Sequence, residues 1–252
     1  MAIETKILTF GTNKVGTVGG NKLMGYDRPF FPTDIIDCVV WLDNEESNFI
    51  KNGANRVSQW TDKSGLNNHY TQPTGTNQPL FVTNGINGNN GVYFSNSDNN
   101  FLDRVLGSVY SQPFTIITVW NLDSFSTGVT PIVYDNVPSS GSRILLYWTG
   151  NQIAVGGSTI VNAYAKNRPF GLIQNMVEHN GATTRVYENG TLKNTVFAGT
   201  SSLTSLRLGH AFVVGASNRL SGYICEHIVY SRALTSTEQT QINTYLSTKY
   251  GL

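Results

Sequence analysis

Charge is what this chain has least of. Only 13% of its 252 residues are Asp, Glu, Lys or Arg, and 17 basic against 16 acidic side chains leave a net charge of +1. A nucleic-acid binder needs a dense basic footprint to displace counterions from phosphates, and none is present. Long apolar runs are missing too: no stretch approaches the ~20 residues of a membrane-spanning helix. The N-terminus, Met1-Ala-Ile-Glu-Thr-Lys, meets a glutamate at once and has no apolar core, so it does not read as a signal peptide and the expected place of synthesis is a cytoplasm. Cysteine is reduced to Cys38 and Cys225. In a reducing compartment both read as small buried hydrophobes, with a bridge between the first and last strands as the alternative.

Signatures of catalysis and metal binding are equally scarce. His69, His179, His210 and His227 are dispersed, without the spacing of zinc ligands. No Gly-x-Ser-x-Gly marks a nucleophile. Glu45 and Glu46 are adjacent and would face opposite sides of a strand. Asp98, Asn99, Asn100 and Asp103 follow Asn96 in an oxygen-rich stretch of the kind calcium favours, although no motif fixes ligand positions. That stretch reads as a solvated loop, and no cofactor is expected beyond calcium as the alternative.

Glycine and aromatic residues are plentiful, with 25 Gly, 12 Tyr, 12 Phe and 4 Trp. Together with short alternating segments they predict an all-β chain. In Pro113-Phe-Thr-Ile-Ile-Thr-Val-Trp-Asn-Leu, one face carries Phe114, Ile116, Thr118 and Trp120, and the other is half apolar, which predicts a central strand. Thr184–Glu188 and Thr191–Phe197 flank Asn189-Gly190, a turn pair that tolerates the positive φ of tight hairpins. Near the C-terminus Ile224, Glu226, Ile228 and Tyr230 are predicted on one strand face, with Glu226 a buried structural carboxylate. Thr235 and Glu238 then have capping-box spacing, and Ile242, Tyr245, Leu246 and Lys249 follow at helical intervals up to Gly251.

This ending resembles the concanavalin A-like, laminin-G-like jelly rolls of lectins, bacterial surface proteins and virion proteins. The likeness extends upstream through Trp41-Leu42-Asp43 and through Val57, Trp60, Asp62, Lys63, Ser64, Gly65 and Asn68, which match a V-x-x-W-x-D-K-S-G-x-x-N segment. Gln78-Pro79, Asn84-Gly85, Val92, Phe94, Phe101 and Leu102 continue it, so that it covers roughly residues 36–251. The resemblance implies a two-sheet antiparallel jelly-roll sandwich with a short C-terminal α-helix and a buried core containing Trp41, Trp60, Phe94 and Ile228. Glycosidases on this fold retain a Glu-x-Asp-x-x-Glu strand, which this chain lacks, so no enzyme activity is expected.

Residues 1–34 have no counterpart in that pattern and form an N-terminal extension to the domain at 35–252. Ile3, Ile7, Leu8, Phe10, Leu23, Met24, Phe30 and Phe31 are its apolar residues, predicted to act as an assembly arm against a neighbouring subunit. The functional expectation is a non-enzymatic virion structural protein of a bacteriophage-like particle: a head decoration, head-fibre or tail-associated subunit. It would be held to other virion subunits in a homo- or hetero-oligomer, with a host-surface glycan as a further partner. The alternative is a carbohydrate-binding module or adhesin at a cell surface, for which Tyr70, Tyr110, Trp148 and Tyr164 are the candidate sugar-stacking rings.

Overall fold

The computed structural model describes residues 28–124, 130–136, 143–167, 171–212 and 218–252, with the backbone of 8–10 and 13–15. Strands β1 (Leu8–Phe10) and β2 (Asn13–Val15) pair with each other. The body begins with β3 (Cys38–Leu42), β4 (Phe49–Lys51), β5 (Val57–Trp60), β6 (Tyr70–Thr71), β7 (Leu80–Ile86) and β8 (Asn89–Phe94). It continues through β9 (Leu102–Tyr110), β10 (Phe114–Trp120), β11 (Ile132–Asp135), β12 (Leu145–Trp148), β13 (Gln152–Gly156) and β14 (Ile160–Ala165). Last come β15 (Ile173–His179), β16 (Thr184–Glu188), β17 (Thr191–Val196), β18 (Leu203–Leu208), β19 (Gly222–Tyr230) and helix α1 (Ser236–Tyr250).

These strands form two antiparallel sheets stacked as a sandwich. Sheet I has the order β17-β16-β15-β10-β19-β8-β7, and β3 pairs with residues 227–230 of β19. Sheet II runs β14-β13-β12-β11-β18-β9-β6-β5-β4. As expected, β10 is central: it lies between β15 and β19 and all its residues are buried. Phe114, Ile116 and Trp120 enter the core between the sheets, whereas Ile117 and Val119 enter a second core beneath α1. Trp60, Phe94 and Ile228 are fully buried and Trp41 nearly so, but Trp41 and Ile228 belong to the helix-side core.

Helix α1 starts and stops where its sequence dictates. The Thr235 hydroxyl accepts from the Glu238 amide at 3.3 Å, and the Glu238 carboxylate accepts from the Thr235 amide at 2.8 Å. Gly251, at φ 68°, ends the helix in the left-handed conformation that side chains resist. Ile242, Leu246 and Tyr250, one turn apart, are the buried stripe against sheet I. The Asn189-Gly190 turn has φ of 46° and 77°, as a two-residue hairpin requires.

One expectation on β19 needs correction. Of Ile224, Glu226, Ile228 and Tyr230 only the last three share a face, because a β-bulge shifts the register between Val119 and Trp120 of β10. Glu226 pairs with Val119 and Ile224 with Trp120, so Cys225 is the extra residue. Ile224 therefore points between the sheets, while Cys225, Ile228 and Tyr230 point towards α1. Cys38 and Cys225 are buried free thiols, and burial pushes both well above the usual thiol range.

Candidate functional site

The motif that carries the family likeness is spent on structure. Asp62 Oδ1 accepts from the amides of Trp41 and Ser64, both at 2.9 Å, and Oδ2 accepts from Ser64 Oγ at 2.7 Å and the Asn68 amide at 2.8 Å. Asn68 Nδ2 donates to the Val39 carbonyl at 2.9 Å, and Trp60 Nε1 to the Asp43 carbonyl at 2.7 Å. The segment after β5 is thereby tied to β3, and its polar atoms are occupied.

Glu226 is occupied in the same sense. Its side chain is fully buried, and it accepts from Trp41 Nε1 at 2.9 Å, Tyr245 Oη at 2.8 Å, Lys249 Nζ at 2.8 Å and Tyr250 Oη at 2.7 Å. Burial, with this carboxylate beside them, pushes both tyrosine hydroxyls above their usual range. The expected structural carboxylate is a clamp between sheet I and α1.

Among the described residues the outer face of sheet II has no such cover. Ladder register places Ile50, Gln59, Thr71, Asp103, Arg207 and Asp135 in one row across β4, β5, β6, β9, β18 and β11. Their strand neighbours Phe49, Trp60, Tyr70, Leu102, Leu208 and Tyr134 enter the core, so the row faces outward. Ile50 is 55% exposed, and Val105 on β9 is 73% exposed. Within the row Arg207 bonds Asp103 Oδ2 at 2.6 Å, and its guanidinium lies 3.8 Å and 4.2 Å from the ring centroids of Phe101 and Phe212. Both rings are half-buried, and the Asp103 side chain is one-third exposed. A planar cation held against two half-buried rings beside a part-exposed carboxylate gathers apolar and hydrogen-bonding groups at one spot on this face.

At the far end of the row Asp135 is covered. Its fully buried carboxylate takes Arg143 on both oxygens and the Phe212 amide at 2.7 Å. Asp103 and Asp135 thus share a face two strands apart, about 10 Å by strand spacing. This carboxylate pair arises across strands rather than along one, where a search for alternating acidic residues does not detect it. Next to it, His210 lies 2.9 Å from Asn99 Oδ1 and receives Arg219 Nε at 3.2 Å, and burial holds its imidazole below the usual histidine range.

The oxygen-rich stretch is likewise committed to protein partners. Asp98 meets Arg56 at 3.4 Å, Asn100 Oδ1 accepts from the Ser95 amide at 3.0 Å, and Asp103 belongs to Arg207. Among the described residues no group of three or more His, Cys, Asp or Glu is placed to hold a metal.

The rings proposed from sequence as sugar platforms fare unequally. Tyr70 is fully buried and Trp148 is 3% exposed, with its Nε1 donating to the Lys166 carbonyl, so neither has a face to offer and both assignments are corrected. Tyr110 and Tyr164 are half-buried against the inter-sheet core, and Tyr164 donates to Glu188 at 2.8 Å. Of the arm, Ile3, Ile7, Leu23 and Met24 lie outside the described residues, and only the backbone of Leu8 and Phe10 is described. Phe30 and Phe31 pack on their own chain, with ring centroids 6.0 Å from Tyr245 and 5.8 Å from Trp41. They help bound an apolar hollow of about 580 Å³ against α1.

The chain matches no protein-family model and no curated protein. Solved structures do resemble it. Domain 4 of the extracellular GH43 arabinanase AbnA from Geobacillus stearothermophilus, in complex with arabinotriose, superposes with a TM-score of 0.59 at 15% identity, covering 82% of this chain and 98% of that one. The binding domain of botulinum neurotoxin DC, in complex with rat synaptotagmin II, gives 0.60 at 12% identity over 85% of this chain. The chain spans only 52% of that domain, and 33% of the Trypanosoma rangeli sialidase in complex with sialic acid, which gives 0.52 at 15% identity. What these likenesses establish at such identities is a shared β-sandwich.

Proposed function

We propose that this chain is a non-catalytic carbohydrate-binding module of the concanavalin A-like, laminin-G-like class, holding a glycan on the open face of sheet II. The observation that carries the reading is its correspondence to a whole domain, 98% of its length, whose structure contains an oligosaccharide. The face itself supports it: the half-buried Phe101 and Phe212 supply apolar surface beside Arg207, and Asp103, Gln59 and Thr71 supply the acceptors and donors that sugar hydroxyls need. Catalysis has no comparable support, because glycoside hydrolysis needs two carboxyl groups open to the scissile bond, and Asp135 is buried beneath Arg143. The virion-subunit expectation has no observation among the described residues to favour it over this reading.

The test is a printed array of plant, bacterial and animal glycans probed with the wild-type protein and with Arg207→Ala. Selective retention of one glycan class, weakened tenfold or more by the substitution, is the expected outcome. A wild-type protein that retains no glycan would refute the reading.

A further inference from the structure

A second surface, lined by tyrosines, lies on the opposite side of the sandwich. Tyr93 of β8 and Tyr223 of β19 are directly paired across the ladder, with ring centroids 5.0 Å apart and planes inclined at 58°. Both are half-exposed on the outer face of sheet I, at the margin of the helix-side core. Two glycines let Tyr223 lie down: a Cβ at Gly85 would come within 2.7 Å of its ring, and one at Gly91 within 3.1 Å. A polar rim adjoins the pair. Tyr93 Oη donates to Asp123 Oδ2 at 3.3 Å and lies 3.4 Å from Ser221 Oγ, which is 2.6 Å from Ser124 Oγ. Asp123 and Ser124 are exposed.

From this geometry we infer a second carbohydrate site, independent of the sheet II face, that takes a single sugar ring. The tyrosine pair meets the ring's apolar C–H face, and the Asp123, Ser124 and Tyr93 oxygens meet its hydroxyls. An apolar partner would bury the exposed Asp123 and Ser124 oxygens away from water, and a purely polar one would gain nothing from the Tyr223 ring laid against Gly85 and Gly91. The inference rests on the carbohydrate-binding reading and makes the module bivalent, so that two weak sites on opposite faces bind an extended polysaccharide more tightly than either alone.

The test uses the same glycan array, with Tyr223→Ala, Tyr93→Ala and Arg207→Ala compared with the wild type, and a melting curve to confirm that each variant is folded. Tyr223→Phe, which keeps the ring, should bind as wild type does. A glycan held by the wild type and weakened tenfold or more by folded Tyr223→Ala or Tyr93→Ala is the expected result, whether or not Arg207→Ala weakens it as well. If every glycan bound by the wild type is bound equally well by folded Tyr223→Ala and Tyr93→Ala, the second site does not exist while the sheet II reading stands. If the wild type binds none, both fall together.

Discussion

The two outer faces of this sandwich are built on opposite terms. Sheet I is covered by α1, and its polar groups there are consumed internally, four donors converging on the buried Glu226. Sheet II carries no such helix among the described residues, and its Arg207 guanidinium lies against two half-buried rings, paired with Asp103, a third of whose side chain is exposed. A buried charge is tolerated only when its hydrogen bonds are complete, whereas a surface pair contributes little to folding. The same chemical group therefore means stability on one face and availability on the other. Burial and completeness of partners separate the two cases, and residue type does not.

Removing the clamp is the sharpest way to test the contrast. Glu226→Ala leaves Lys249 and two tyrosine hydroxyls without their shared acceptor and should cost about 3–5 kcal/mol. Urea unfolding would measure it. A loss below about 1 kcal/mol would mean that the helix-side face is no more committed to folding than the open one.

The interior between the faces makes a pH-dependent prediction. His179 and His227 are fully buried, and burial lowers both to about 3 from the ordinary 6.5. Neither nitrogen of His179 has a hydrogen-bond partner among the described residues, while His227 keeps one contact, to Thr118 at 2.9 Å. Above about pH 6.5 both imidazoles are neutral, folded or unfolded, and stability does not respond. Below it the unfolded chain takes up protons that the folded chain refuses, so stability falls with pH until about 3. Each histidine costs ~1.4 kcal/mol per pH unit in that window, so roughly 2–3 kcal/mol should be lost between pH 7.5 and 5.5. Unfolding curves at the two values would check it, and equal stability would show that the imidazoles are hydrated.

How much of this was legible beforehand follows from distance along the chain. The cap at Thr235 and Glu238, the Asn189-Gly190 turn and the central strand at 114–120 were readable, because each depends on residues a few positions apart. The bulge at Cys225 was not: it exists only in the register of β19 against β10, a hundred residues upstream. The open face was invisible for the same reason. Arg207 between Leu206 and Leu208 signals an outward side chain, but its meeting with Asp103, Phe101 and Phe212 is set by ladder register and loop approach. Tyr70 and Trp148 misled because proximity to a loop in sequence says nothing about which side of a sheet a ring occupies.

A smaller effect tests the helix boundary. Thr235→Ala removes one capping acceptor and should cost about 1 kcal/mol. Glu238, held down at about 2 chiefly by its bond with Arg232, stays ionised at neutral pH and keeps its half of the box. The measured quantity is the shift in unfolding midpoint. No shift would mean that Arg232 and Glu238 fix the helix start without the threonine.

The smallest expected effect on stability is the most telling for function. Asp103→Asn keeps the shape of the row but deletes the charge beside Arg207 and one acceptor open to solvent. Asp103 is one-third exposed and the asparagine keeps an oxygen to accept from Arg207, so the cost should be about 1 kcal/mol or less and the unfolding midpoint should barely move. Glycan retention should nevertheless fall severalfold, because Arg207 loses the charged partner that fixes it against Phe101 and Phe212 and the ligand loses an acceptor. Measuring both on one preparation separates the roles. A loss of 2 kcal/mol or more with binding unchanged would make Asp103 a second Glu226, and the open face would become ordinary scaffold.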